Sequence, residues 1–380
     1  MLAGGGARGA YEMGALSVLL EELPAKAFDR AVIVGTSVGG INAVLVGSQL
    51  DEGPATAAQE GLRLWRHLDW SSVVAPVLSA RGVVPLLRYG AGVVGAGVRV
   101  DHLLDSRPLA QTLGEKLDMD RLAANVLAGS PQAVAVVATR TATALSVAFH
   151  DGGGQDVGDD SARGIKYVRT PLTLEHVLAS SAVPALFQPI WIAGPPAARG
   201  WYVDGSTRLN TPIKPALKLG IDRLIVIAAN TIRPAAAGRI APPDIFDGLG
   251  QVAQAALGDP LANDIATLAK VNDRVKGERQ SGKVVPYILI TPATRYRIGE
   301  IAQCVFRKHY ATCRGLRTSP GLVGRLLQAG RSSGSGELFS YLFFAREFFE
   351  ALIEAGTADA RAWLQQPHDA GVWQCGPLPP

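Results

Sequence analysis

The chain has 380 residues, enough to bury a large core as one big domain or two of ordinary size. Hydrophobic residues make up 48% and charged residues 18%, which excludes an open, disordered chain. The 37 basic and 33 acidic residues leave a net charge of +4 with no long block of one sign, so nothing argues for nucleic acid; the mild positive balance fits a solvated basic exterior or an anionic lipid surface.

The amino terminus lacks a basic segment followed by an apolar one, so no secretory signal is read there. Only Met1, Leu2 and Ala3 precede a glycine loop that normally follows a full strand, which leaves the completeness of this end open. The loop, Gly4-Gly5-Gly6-Ala7-Arg8-Gly9, spells G-x-G-x-x-G and opens a helix. A dinucleotide site would need an acidic residue at the end of the next strand, about 20 positions on. Asp29 precedes its strand instead, which argues against a nucleotide. An acyl-transfer enzyme uses such a loop differently, aiming two backbone N–H groups, here those of Gly5 and Gly6, at one point as an oxyanion hole. Arg8 then either supports the loop and adds positive potential or is an ordinary surface arginine.

A strand is predicted over Ala31 to Val34, running into Gly35-Thr36-Ser37-Val38-Gly39 and a helix over Gly40 to Gln49. A nucleophile on a sharp strand-to-helix turn needs glycines on both sides, because the backbone is strained and neighbouring chain comes close. Ser37 is the candidate. A helix over Thr56 to Leu68 follows. The stretch from Trp65 to Val100, with Trp70, Leu86, Leu87 and Tyr89, either covers an acyl groove or packs in the core. Its glycine-rich part carries Arg88 and Arg99, and no uncharged apolar run of about 18 residues exists, so no transmembrane helix is predicted.

Further strands are predicted over Ala133 to Thr139 and Ala144 to Phe149, the second leading to Asp151-Gly152-Gly153. A helix over Leu172 to Ser180 precedes Gly200-Trp201-Tyr202-Val203 and then Asp204-Gly205-Ser206. A helix over Pro212 to Leu219 and a strand over Leu224 to Ala228 complete this part. Either Asp-Gly pair offers a carboxylate that could act directly as base, provided burial raises its proton affinity. Local context barely separates them; Asp204, followed by Asn210-Thr211-Pro212 and a helix, sits in the more ordered one. Six histidines are available, but an order of Ser, acid, His would require His309 or His368, each among charged or proline-rich neighbours.

Ile232 to Pro243 is rich in Pro and Ala and marks a boundary between a catalytic domain, 1–232, and a mainly helical region, 233–380. Val284 to Ile290 adds a strand candidate. Gly330-Arg331-Ser332-Ser333-Gly334 repeats G-x-S-x-G as text, but no β-branched strand precedes Ser332. Leu338, Tyr341, Leu342, Ala345, Phe348, Phe349, Leu352 and Ile353 recur at helical steps, predicting one amphipathic helix that packs on the catalytic domain or dips into a membrane interface. Cys304, Cys313 and Cys375 have neither close spacing nor zinc partners, as expected of free thiols in a reducing compartment.

Together these segments resemble the patatin-like phospholipase family, whose hallmarks are a G-x-G-x-x-G loop, G-x-S-x-G and D-G-[AG] in that order. Here they are Gly4, Gly6 and Gly9; Gly35, Ser37 and Gly39; and Asp204 with Gly205. Ala179-Ser180-Ser181-Ala182-Val183-Pro184-Ala185-Leu186-Phe187-Gln188-Pro189 is also similar to the family's segment before the acid, and it selects Asp204 over Asp151. The resemblance covers about residues 1 to 230. It implies a three-layer α/β/α patatin-like fold and a Ser-Asp dyad of Ser37 and Asp204, needing neither histidine nor metal nor cofactor. Ser206 departs from the usual Gly or Ala.

The expected function is hydrolysis of fatty-acyl lipid esters through an acyl-enzyme, with the oxyanion held by Gly5 and Gly6 and supported by Arg8. The expected partner is an acyl lipid at a membrane or micelle surface, with no nucleic acid or nucleotide, and the expected location is cytoplasmic or peripheral to a membrane. Two rivals stand beside it: a histidine-assisted esterase on an α/β fold, and a catalytically silent lipid-binding protein. Head group, acyl position and oligomeric state are not readable.

Overall fold

The β-branched runs of the sequence become strands in a computed structural model, which describes residues 1–75, 102–154, 157–233, 245–277, 281–312, 315, 318–327, 329 and 333–378. Ser332, most of the Trp65 to Val100 stretch (including Leu86, Leu87 and Tyr89), residues 234–244 of the Pro-rich segment and Cys313 lie outside the described residues.

Six strands form a mixed sheet: β1 (Val32–Thr36), β2 (Ala133–Arg140), β3 (Leu145–Gly152), β4 (Ile165–Arg169), β5 (Ile190–Ile192) and β6 (Gly200–Asp204). β2 is its centre, and it is buried from Ala133 to Thr139, as a run of Ala and Val covered on both faces must be. One edge of β2 pairs along its whole length with β3. The other edge is divided. Ala133 to Val137 pair in parallel with β1, and Ala138 to Arg140 pair antiparallel with β6. The two strands therefore run towards each other along a single edge, and their last residues, Thr36 and Asp204, lie opposite the neighbours Val137 and Ala138.

β7 (Leu224–Ile227) and β8 (Tyr287–Ile290) pair in parallel as a second, two-stranded sheet. Leu2 bridges in parallel to both Gly35 and Ile227, so Met1 to Ala3 fill the strand position between β1 and β7. The Leu2 N–H donates to the Val34 carbonyl at 2.8 Å and the Ala3 N–H to the Ile227 carbonyl at 3.1 Å.

α2 (Val38–Gly47) is buried along its length and lies on the face of β2 that carries Val134 and Val136. α1 (Gly9–Glu22), inside which every residue from Gly9 to Leu20 is buried, is apolar almost all round and needs cover on every side. α3 (Pro54–His67) provides part of it, with Gly61 set against Met13. The helix Arg346–Gln365 provides the rest. Its Gly356 faces the Tyr11 carbonyl, while Gly14 of α1 faces the backbone of Ile353. Two glycines at the crossing let the helices approach almost backbone to backbone.

β4 and β5 add to the strands expected from sequence: Ile165–Arg169 interleaves its apolar residues with Lys166 and Arg169, and β5 is only three residues long. One expectation needs correction. The aromatic helix expected from Leu338 to Ile353 is two helices, Ser333–Leu342 and Arg346–Gln365, separated by an extended Ala345. Phe343 and Phe344 are both buried. Phe343 stacks on Phe348 at 5.0 Å across the break.

Gly356→Ala should test the crossing. A helical Gly-to-Ala change ordinarily stabilises by up to about 1 kcal/mol, but here the new Cβ overlaps the Tyr11 carbonyl. The expected result in urea denaturation is a loss of about 1–3 kcal/mol from overpacking.

Candidate active site

Ser37 sits where β1 ends and α2 begins, with φ 54° and ψ −126°. A non-glycine residue in that region is strained and persists only where its surroundings hold it. They do so here. A Cβ at Gly35 would overlap the Gly39 carbonyl, and one at Gly39 would overlap the carbonyls of Leu2 and Ala3. The Ser37 N–H donates to Ser180 Oγ at 2.8 Å, and Ser180 Oγ–H in turn donates to the Val137 carbonyl at 2.6 Å. Thr36 Oγ1 donates to the Leu209 carbonyl at 2.9 Å. The turn is thus pinned on both sides, and Ser180 is a positioning residue to which the sequence reading gave no role.

Ser37 Oγ–H donates to Asp204 Oδ2 at 2.6 Å, and both side chains are buried. The second carboxylate oxygen, Oδ1, accepts the Ser206 N–H at 2.7 Å. A Cβ at Gly205 would overlap the Val137 carbonyl and crowd Thr36, so the glycine after the acid lets β6 end against the Ser37 turn. Burial without a cationic partner raises the Asp204 pKa to about 6, against the opposing pull of the hydrogen bonds from Ser37 and the Ser206 amide.

Asp151 is placed elsewhere. It belongs to β3, opposite Val134 on the far edge of β2. One strand spacing on each side of β2 makes a lateral separation of roughly 10 Å from β1. Burial raises its pKa too, against backbone hydrogen bonds and the nearby Arg169 that lower it, so a raised pKa alone does not single out Asp204; the topology does. Among the described residues no histidine bonds to Ser37 or Asp204. His309 is exposed on the turn 306–310, and His368 stacks on Trp363 with Nε2 at 2.9 Å from the Trp363 carbonyl. No group of three or more His, Cys, Asp or Glu side chains among the described residues could hold a metal ion.

The glycine loop lies against the same turn. Gly9 faces Val38, where a Cβ would overlap the Val side chain, and Asn42 Nδ2 of α2 donates to the Gly9 carbonyl at 3.1 Å. Gly6 has φ 56° and packs under the Tyr341 carbonyl, so glycine is required there on both counts. Among the described residues no acceptor takes the Gly5 or Gly6 N–H. Gly4 packs on Ser206 Oγ and Asn210 Oδ1, two buried polar atoms without a hydrogen-bond partner among the described residues. The departure at Ser206 therefore touches the loop directly.

Arg8 is 1% exposed, which rules out the ordinary surface arginine and leaves the supporting reading. Its guanidinium donates to Ser340 Oγ, Asn230 Oδ1, the Glu337 carbonyl and the Glu337 carboxylate, and it stacks over the Tyr341 ring at 3.7 Å. Its charge is paired with Glu337, so what it supplies is anchorage: the loop is tied from behind to the helix Ser333–Leu342.

A model of the patatin-like phospholipase family matches residues 1–217. Among solved structures, VipD from Legionella pneumophila is similar at 15% identity and a TM-score of 0.30, over 77% of this chain and 60% of that one. The chain thus spans about three-fifths of VipD, and a likeness this distant carries no argument. No curated protein matches.

Two stability outcomes follow from these environments. Glu337→Ala leaves a buried guanidinium without its carboxylate and is expected to cost about 3–5 kcal/mol in urea denaturation. Asp204 binds its proton more tightly in the folded chain than at its ordinary 3.8, so its ionisation opposes folding increasingly between pH 3.8 and about 6, and by a constant amount above. Asp204→Asn should therefore be more stable than wild type at pH 8, by up to about 3 kcal/mol. That gain should fade as the pH falls towards 4.

Proposed function

The chain belongs to the patatin-like phospholipase family, and from that premise we propose that it cleaves fatty-acyl lipid esters with Ser37 as nucleophile and Asp204 as base. The family's name carries lipid hydrolase chemistry, and the match over residues 1–217 supports that reading for this chain. The observation that carries the finer reading is the 2.6 Å hydrogen bond from Ser37 Oγ to a carboxylate whose pKa is raised to about 6. A general base works best when its proton affinity lies near the operating pH.

In the proposed reaction Asp204 Oδ2 takes the Ser37 proton as Oγ attacks the ester carbonyl. The Gly5 and Gly6 N–H groups hold the oxyanion of the tetrahedral intermediate. Collapse breaks the ester bond, and Asp204 returns the proton to the departing alcohol, leaving an acyl group on Ser37. Water then attacks that acyl group while Asp204 takes its proton, and the second collapse releases the fatty acid and restores the Ser37 hydroxyl. The proton count closes without a histidine, a metal or a cofactor. No helix among the described residues is long and apolar enough to cross a membrane.

The test is ester hydrolysis by wild type, Ser37→Ala, Asp204→Asn, Asp151→Asn and His309→Ala side by side. Ser37→Ala and Asp204→Asn should each lose about 10²–10⁴-fold in kcat, while Asp151→Asn and His309→Ala keep the wild-type rate. In wild type, kcat/KM should rise with pH through a midpoint near 6 and then level off, because the base must be ionised. Loss of activity in His309→Ala with Asp204→Asn unaffected would transfer the mechanism to the histidine-assisted rival.

A further inference from the structure

α2 carries a single polar side chain, Asn42, and it is wholly buried. A side-chain amide in an apolar helix is costly to bury unless its donor and its acceptor are both met. Here they are met from two other helices. Asn42 Nδ2 donates to the Gly9 carbonyl at 3.1 Å and to Glu12 Oε2 at 3.4 Å, both on α1, while Asn42 Oδ1 accepts the Trp65 Nε1–H of α3 at 2.9 Å. A carbonyl can only accept and an indole N–H can only donate, so the amide has one orientation that satisfies both.

Gly9 is where this bond acts on the glycine loop. The Gly9 N–H donates to the Gly6 carbonyl and the Arg8 N–H to the Gly5 carbonyl at 3.1 Å, so the loop is a short closed turn that moves with Gly9. On its outer side Gly9 packs against Val38, the residue after Ser37, and against the Trp65 ring. Val38 and Asn42 are one turn apart on α2 and share a face. Contact at Val38 limits how closely α2 and the loop approach, and the Asn42 bond keeps them from parting or sliding. From the loop to Ser37 the path is two hydrogen bonds, Gly9 to Gly6 and Asn42 to Gly9, and then the first turn of α2, where the Ser37 carbonyl accepts the Ile41 N–H at 3.2 Å.

We propose that Asn42 is a positioning residue whose side-chain amide sets the separation between the Gly5 and Gly6 N–H groups and Ser37 Oγ. The proposal rests on the reaction given above, in which those N–H groups hold the oxyanion, and it adds what fixes them relative to the nucleophile. The Asn42 side chain makes no hydrogen bond to Ser37 or Asp204. Its loss should therefore weaken the oxyanion contact and leave the base alone. A displacement of about 1 Å at a reacting centre can cost about 10²-fold in rate.

The experiment uses the full chain and compares a water-soluble short-chain ester with its thiono analogue, in which sulfur replaces the carbonyl oxygen and accepts hydrogen bonds poorly. An oxyanion site favours the oxygen ester, so the ratio of the two kcat/KM values reads that site. The ratio does not depend on what fraction of the protein is folded. Asn42→Leu is close in size to the original residue, and Asn42→Ser is shorter and stays polar; neither can bond both Gly9 and Trp65. In both variants kcat on the oxygen ester should fall about 10- to 100-fold with KM little changed. The thiono ester should lose less, so the ratio falls, while the pH midpoint near 6 stays where it is in wild type. Variants that lose both esters in equal proportion, or lose neither, would overturn the proposal and leave the hydrolase reading intact. A wild type that hydrolyses no ester, or a fully active Ser37→Ala, would sink the hydrolase reading and this proposal with it.

Discussion

The divided edge of β2 is the constraint on which the site depends. A parallel strand and an antiparallel strand share that edge and meet head to head, so the residues at their ends are forced together. The convergence seats a carboxylate in the protein interior with a hydroxyl and one amide for company and no cation. In the proposed mechanism desolvation takes the part that a histidine plays in other serine hydrolases, since it moves the proton affinity of Asp204 from the usual carboxylate range to about 6, close to that of an imidazole. Fold topology and base strength are in this sense one property.

The cost of that arrangement is met by a rigid surround. Ser37 is held in a strained backbone conformation, and its amide hangs from Ser180, which hangs from β2. The glycine loop is packed so closely that side chains are excluded at Gly6 and Gly9, and its arginine reaches across to the helix Ser333–Leu342. That helix, like Arg346–Gln365 over α1, lies beyond the segment that matches the family. Residues outside the family segment thus hold both the glycine loop and the helix it opens.

Much of this was legible in the sequence where the cause is local. The strand before Ser37, the glycines around it and the helix after it express one short-range demand, that a tight turn fit between neighbouring backbones. The choice between Asp204 and Asp151 is not local: both lie at the end of a strand, both precede glycine and both are partly or wholly desolvated. What separates them is the edge of β2 that each strand joins, which only the assembled sheet decides. The burial of Arg8 was equally hidden, since its carboxylate partner lies 329 residues away. The break at Phe343 to Ala345 escaped for the opposite reason. The helical period was real on both sides of it, and nothing in the pattern marks the extended Ala345 that separates the two helices.

The central claim is that a buried carboxylate, and no other group, activates Ser37. Its most direct measurement is the rate at which a fluorophosphonate modifies Ser37, followed by mass spectrometry of the Ser37 peptide across the pH range in wild type and Asp204→Asn. The account predicts modification of Ser37 in wild type that rises through a midpoint near pH 6, and near-complete loss of it in Asp204→Asn. Equal labelling of Ser37 in the two proteins, or labelling that follows a different serine, would contradict it.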